Sequence, residues 1–109
     1  MPARTIHHPA ASELDLATIL RTVGDPVRLA ILDRLREGGE ATCGVLADQL
    51  GMPVSTLSYH LRQLREAGVT QTRAEGTERY MSLRVDDLEE RFPGLLTLLE
   101  SGTPAPAVR

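Results

Sequence analysis

Tryptophan and lysine are absent from the chain, cysteine and phenylalanine occur once each, and tyrosine occurs twice. Without large rings a core has to be built from Leu, Val and Ile, and 109 residues support one such core of modest size. The single cysteine, Cys43, excludes an intramolecular disulfide framework and points to a reducing, cytoplasmic setting. No apolar run approaches the roughly 18 residues of a membrane span. The opening stretch "MPARTIHHPAASELD" has no apolar segment of the kind that directs secretion, so no signal peptide is expected. Glycine-rich phosphate loops and metal-ligand motifs are missing, and Cys43 lies far in sequence from the three His. No nucleophile and base converge, so neither an enzyme nor a cofactor is expected.

What is present is arginine in an uneven distribution. The net charge of −3 argues against a nucleic-acid partner until it is divided. Residues 1–52 carry −2 and residues 85–109 carry −3, whereas residues 53–84 carry +2 from five arginines against three glutamates. The basic charge is confined to the middle third of the chain.

The pattern predicts a loose arm over residues 1–11, a domain over 12–100 and a disordered tail over 101–109, "SGTPAPAVR". Ser12 is placed to cap a first helix over about 13–23, ended by Gly24. In "DPVRLAILDRLREGG", Asp25 caps a second helix and Pro26 occupies its first position, while Val27, Ile31 and Leu35 repeat every four residues. Thr42 begins a short third helix, 43–50, closed by Gly51. After "MPV" comes "STLSYHLRQLREAGV", in which Leu57, Leu61 and Leu64 form a buried seam and Gly68 takes the left-handed position after the helix. "TQTRAEGTERYMSLRV" predicts a β-hairpin with Gly76-Thr77 at its tip and Met81, Leu83 and Val85 on one face. A last helical region begins at Asp86 and Asp87, with Leu88, Phe92, Leu95, Leu96 and Leu99 in one stripe and a kink or restart at Pro93.

The fold class is therefore mostly α with a small β-hairpin. Two short helices joined by a tight turn with Gly form a helix-turn-helix, and the hairpin that follows is a wing. The outward face of the 54–67 helix carries short hydroxyls, an aromatic tip and a guanidinium. A recognition helix needs such side chains to approach base edges in the major groove.

The stretches "VGDPVRLAILDRLREG", "LADQLGMPVSTLSYHLRQLREAGV" and "RAEGTERYMSL" resemble the ArsR/SmtB family of bacterial winged-helix repressors, from about Leu14 to Leu99. The resemblance implies a homodimer that binds inverted-repeat operator DNA and releases it when an inducer or metal binds. It places Val54, Ser55, Ser58 and Tyr59 at positions that touch bases or nearby phosphates, with Thr56, His60 and Arg62 adjacent. On the wing, Arg73 and Arg79 are the candidate contacts, and Thr77 stands where family wings often carry a basic residue.

Metal-sensing members carry a Cys-x-Cys pair where this chain has Thr42 and Gly44, with Cys43 between them. One thiolate does not fill a tetrahedral soft-metal site. No metal is expected, and Cys43, His7 and His8 are the residual candidates. A thiol near a helix N-terminus also raises a redox role for Cys43. Dimerisation is expected through the first and last helices, by Leu14, Leu16, Ile19, Leu20, Leu95, Leu96 and Leu99. The competing function is a winged-helix module that docks on another protein, supported by the acidic total and by Thr77. The sequence names neither the operator nor an inducer.

Overall fold

The computed structural model describes residues 6–100, and its first helix starts later than the pattern predicts. Ser12 is not the cap. Ala11–Glu13 make a single 3-10 turn, Leu14 runs extended, and Asp15 caps α1 (Leu16–Val23) by accepting from the backbone N–H of Thr18 at 2.9 Å. The Thr18 hydroxyl donates to the same carboxylate oxygen at 2.8 Å. A carboxylate suits the orphan donors and positive end of a helix N-terminus. The break at Leu14 also turns that side chain into the core, where it is buried.

The next three helices follow the sequence signals closely. Asp25 accepts from the N–H groups of Val27 and Arg28 at 2.8 and 3.1 Å, and α2 runs Pro26–Gly38. The Thr42 hydroxyl accepts from Val45 N–H at 3.2 Å to start α3 (Cys43–Leu50), and Gly51 ends it in the left-handed region. After Met52 and Pro53, α4 (Val54–Glu66) buries Leu57, Leu61 and Leu64. Its end is a Schellman motif: Gly68 N–H donates to Arg65 O and Val69 N–H donates to Leu64 O, at 2.9 and 3.0 Å. Gly68 has φ +86°, and Val69 drops into the core.

The hairpin consists of β1 (Thr70–Glu75) and β2 (Glu78–Leu83), antiparallel, with Glu75 opposite Glu78. Gly76-Thr77 is the two-residue turn, and Gly76 supplies the positive φ that such a turn requires. Ala41 extends the pair by a reciprocal bridge to Met81, with N–H···O distances of 3.0 and 2.8 Å. Met81 and Leu83 face inward as expected. Val85 does not: it is the first residue of α5 (Val85–Arg91) and lies exposed, because the strand's alternation stops where the helix begins. The chain breaks at Phe92-Pro93-Gly94 and resumes as α6 (Leu95–Glu100), so Pro93 restarts the helix.

The core is aliphatic. Ile19, Ile31, Leu32, Leu35, Leu46, Leu57, Leu64 and Leu88 are its largest fully buried members. Four leucine or isoleucine residues expected to face a partner belong to it as well. Leu14, Ile19, Leu95 and Leu99 are buried within the subunit and Leu96 is half-buried, because one side of α1 packs onto α2 and α4 and one side of α6 onto α2.

The N-terminal segment is not a loose arm where it is described. His8 Nε2 accepts from Thr72 N–H at 3.0 Å, Pro9 O accepts from Arg84 at 2.8 Å, and Ala11 O accepts from Arg91. An edge strand offers unpaired N–H groups, and His8 satisfies one of them. Residues 1–5 of the expected arm and the whole expected tail, 101–109, lie outside the described residues. Among the described residues no helix is long and apolar enough to cross a membrane.

Candidate nucleic-acid interface

With its leucine seam turned inward, α4 displays Val54, Ser55, Thr56, Ser58, Tyr59 and Arg62 to solvent. Tyr59 is 49% exposed and Val54 55%. The residue preceding the helix is Pro53, and no side chain caps the first turn. The leading N–H groups of α4 are thus open to an anion.

His60 is only half-buried on the flank of this face, and its Nδ1 accepts from Arg28 Nε at 3.1 Å. That bond leaves the imidazole proton on Nε2. Arg28 also donates to Thr22 O at 3.0 Å and stands 5.9 Å from the centre of the Tyr59 ring, which meets the His60 ring edge-on at 5.5 Å. One guanidinium therefore ties the end of α1 to two consecutive side chains of α4. His60 is held by the protein itself.

The two wing arginines differ because of strand register. Side chains alternate faces along a strand, and directly opposed residues share a face. Arg79 lies opposite Ala74, on the face that also carries Thr72 and Met81. Arg73 lies opposite Tyr80, on the other face. There its guanidinium makes a forked pair to Glu40 at 3.1 and 3.0 Å, bonds Glu75 at 2.6 Å and stacks 4.7 Å from the Tyr80 ring. Glu40 and Glu75 push the Arg73 pKa up, and the Arg73 bond holds the Glu40 carboxyl below its usual range. Arg73, a sequence candidate for wing contact, is thus already paired with two carboxylates. Thr77 sits exposed at the tip.

Between α4 and the hairpin lies an open cleft of about 460 Å³. Ser55, Ser58, Arg62 and Arg65 line one wall, Thr72 and Arg79 the other, with buried Leu61 and Met81 at its base. No acidic residue lines it. Arg65 was not among the sequence candidates, yet it continues the stripe Ser55, Ser58, Arg62 at spacings of three, four and three. That periodicity is the signal that could have found it. Arg65 Nε is buried and has no hydrogen-bond partner among the described residues.

Cys43 also borders the cleft, with Sγ 4.0 Å from Val54 O. Burial pushes its thiol pKa up. That direction runs against the activated thiolate considered for a redox role. Of the residual metal candidates, His8 spends its Nε2 lone pair on Thr72 and His7 is exposed. Among the described residues, no three His, Cys, Asp or Glu side chains are grouped so as to hold a metal ion.

Away from this face, Leu16, Leu20 and Leu98 are 42, 45 and 61% exposed. With Phe92, Pro93 and Leu95 they border an open apolar depression of about 390 Å³ between α1 and the last two helices. Three of the residues expected at a dimer interface lie there: Leu16 and Leu20, which are exposed, and Leu95, which is buried at its border. Phe92 and Leu98 join them, which the sequence reading did not single out for that role.

Comparison with known proteins agrees with this geometry. Residues 23–73 match the model of a helix-turn-helix domain family. The chain is 39% identical over 84 residues to the uncharacterized HTH-type transcriptional regulator YceK of Bacillus subtilis, covering 76% of this chain and 84% of that protein. Its fold is similar to the transcriptional repressor PagR of Bacillus anthracis, with TM-score 0.66, 30% identity, and 81% and 95% of the two chains covered. It is also similar to the homodimeric winged helix-turn-helix DNA-binding domain of Mb0332 from Mycobacterium bovis, a possible ArsR-family regulator. There the TM-score is 0.68 with 29% identity, over 80% of this chain and 76% of that one. These likenesses favour a transcriptional regulator over a protein-docking module.

Proposed function

Because the chain belongs to the ArsR-type winged-helix transcriptional regulators, we propose that it acts as a homodimeric repressor, reading an inverted-repeat operator with α4 in the major groove. One observation carries the assignment. Ser55, Ser58, Tyr59 and Arg62 project from α4 into solvent while Leu57, Leu61 and Leu64 anchor its other side. Short hydroxyls permit close approach to base edges, and Arg62 supplies a fork suited to guanine or phosphate. Val54, Thr56 and the uncapped first turn meet the backbone at the groove's edge. His60 offers its Nε2–H, oriented by Arg28.

The exposed depression formed by Leu16, Leu20, Phe92 and Leu98 is the surface for a two-fold mate. An isologous pair places two recognition helices about 34 Å apart, one turn of DNA.

Selection from a random duplex library, followed by anisotropy titration of the recovered site, tests the proposal. The recovered DNA is expected to hold an inverted repeat with half-sites about ten base pairs apart. If each protomer neutralises three or four phosphates, log Kd against log salt has a slope on the order of 6. Arg62→Ala weakens binding, and Ser58→Ala changes sequence preference more than non-specific affinity. Recovery of no preferred sequence, or Arg62→Ala indistinguishable from the parent chain at every salt concentration, overturns this docking.

A further inference from the structure

We propose that the cleft between α4 and the hairpin seats one DNA backbone phosphate, gripped from opposite walls by Arg65 and Arg79. This rests on the regulator reading above and deepens it: it assigns the wing-side anchor that Thr77 does not supply and that Arg73 has already given to Glu40 and Glu75.

Three observations carry it. First, the cleft concentrates positive charge with no counter-charge. Arg62, Arg65 and Arg79 line it, no Asp or Glu does, and no ion pair involves these three among the described residues. Second, Arg65 Nε has no hydrogen-bond partner among the described residues, so no group of the subunit's own holds that edge of the guanidinium. Third, the register of the hairpin turns Arg79 and Thr72 toward α4, so the cations come from two separate elements and face a common space. The hydroxyls of Ser55, Ser58 and Thr72 line the same space and can donate to phosphate oxygens.

The shape selects phosphate over a base edge. Stacked bases lie behind the sugar–phosphate ridge of a duplex, so a recess between a helix and a hairpin meets the ridge first. A helix in one groove and a wing beyond it straddle the backbone that separates two grooves. Forked guanidinium donors match phosphate oxygens in charge and geometry.

Phosphate contacts carry no sequence information, so the test needs no operator. A random-sequence 30-base-pair duplex is titrated with the full chain by anisotropy between 50 and 300 mM NaCl. Arg65→Gln and Arg79→Gln each leave one cation on the seat, and each is expected to lower the log–log slope by less than the roughly 0.9 per protomer that one phosphate contributes. The double variant is expected to lose that whole share and no more, because both cations serve the same phosphate. Arg79→Lys keeps the charge and is expected to keep the slope, which separates lost charge from lost fold. Arg73→Gln is expected to leave the slope unchanged. A double variant with the parent slope, or one that loses two phosphates' share per protomer, overturns the shared seat while leaving the regulator reading intact. A parent chain that binds neither this duplex nor a selected one at 50 mM NaCl overturns both.

Discussion

Gly68 shows how much one residue carries. It has φ +86°, which only glycine adopts without strain, and a Cβ built there would stand 2.0 Å from Leu14 Cδ2. Leu14 is buried at the point where the N-terminal segment folds under the end of α4. Gly68→Ala combines a left-handed backbone with a clash in the core, so it is expected to cost about 2–4 kcal/mol. The urea midpoint reports it, and an unchanged midpoint would contradict the packing. His8 is the second such residue. Burial, then the positive charges of Arg84 and Arg65 and the neighbouring His7, lower its pKa below the ordinary 6.5, which keeps Nε2 free to accept from Thr72. The unfolded chain thus takes up this proton more readily than the folded one. The stabilisation is complete above pH 6.5 and declines as the pH falls through that value and past the lowered one. Urea midpoints are expected to fall between pH 7 and 5, and the fall should be shallower in His8→Gln.

At the scale of elements, the hairpin separates two arginines that look equivalent in sequence. Arg73 and Arg79 flank the same tip, but the pairing of Arg73 with Tyr80 and of Arg79 with Ala74 sends them to opposite faces. Glu40, 33 residues before Arg73, then closes the fork on one of them. Glu40→Gln is expected to leave Arg73 less neutralised, lowering Kd for a random duplex and steepening its salt dependence. An unaltered titration would place Arg73 beyond reach of DNA. The helices were legible because each signal is local: Asp25, Pro26, Thr42, Gly51 and the Leu57–Leu61–Leu64 seam act within a turn of their own positions. The start of α1 was misplaced because Ser12 and Asp15 both have capping chemistry, and the choice between them depends on where Leu14 can be buried. The Arg28–His60 bond, across 32 residues, left no local trace at all.

For the whole molecule, the question is which apolar surface remains after the subunit has packed. The expected interface contained seven residues, of which Leu14, Ile19, Leu95 and Leu99 are consumed internally. Leu16 and Leu20 remain exposed and, with exposed Leu98 and half-buried Phe92, border a depression on the opposite side of α1 from the core. Leu20→Glu leaves that core untouched and puts a charge into the proposed two-fold contact. Sedimentation is expected to change from dimer to monomer, and operator affinity to drop by well over tenfold as the two half-sites lose their linkage. A Leu20→Glu chain that still sediments as a dimer would move the interface elsewhere. The acidic residues of α5, Asp86, Glu89 and Glu90, are exposed on an element separate from the basic cleft. The overall charge of −3 thus conceals a positive face.

By itself the sequence determined the caps of α2 and α3, the leucine seam of α4, the hairpin with its glycine turn, and the basic middle third. Each of these follows from chemistry acting over one turn or one strand pair. Only the tertiary structure decided which charges remain available and which leucines remain exposed. Arg73 is neutralised and Arg79 is left to the cleft, Arg65 enters the site and His60 is tied to Arg28, while Ile19 is buried and Leu20 is not. The reason is physical: availability is what remains after packing and pairing, and the partners that consume a side chain lie dozens of residues away along the chain.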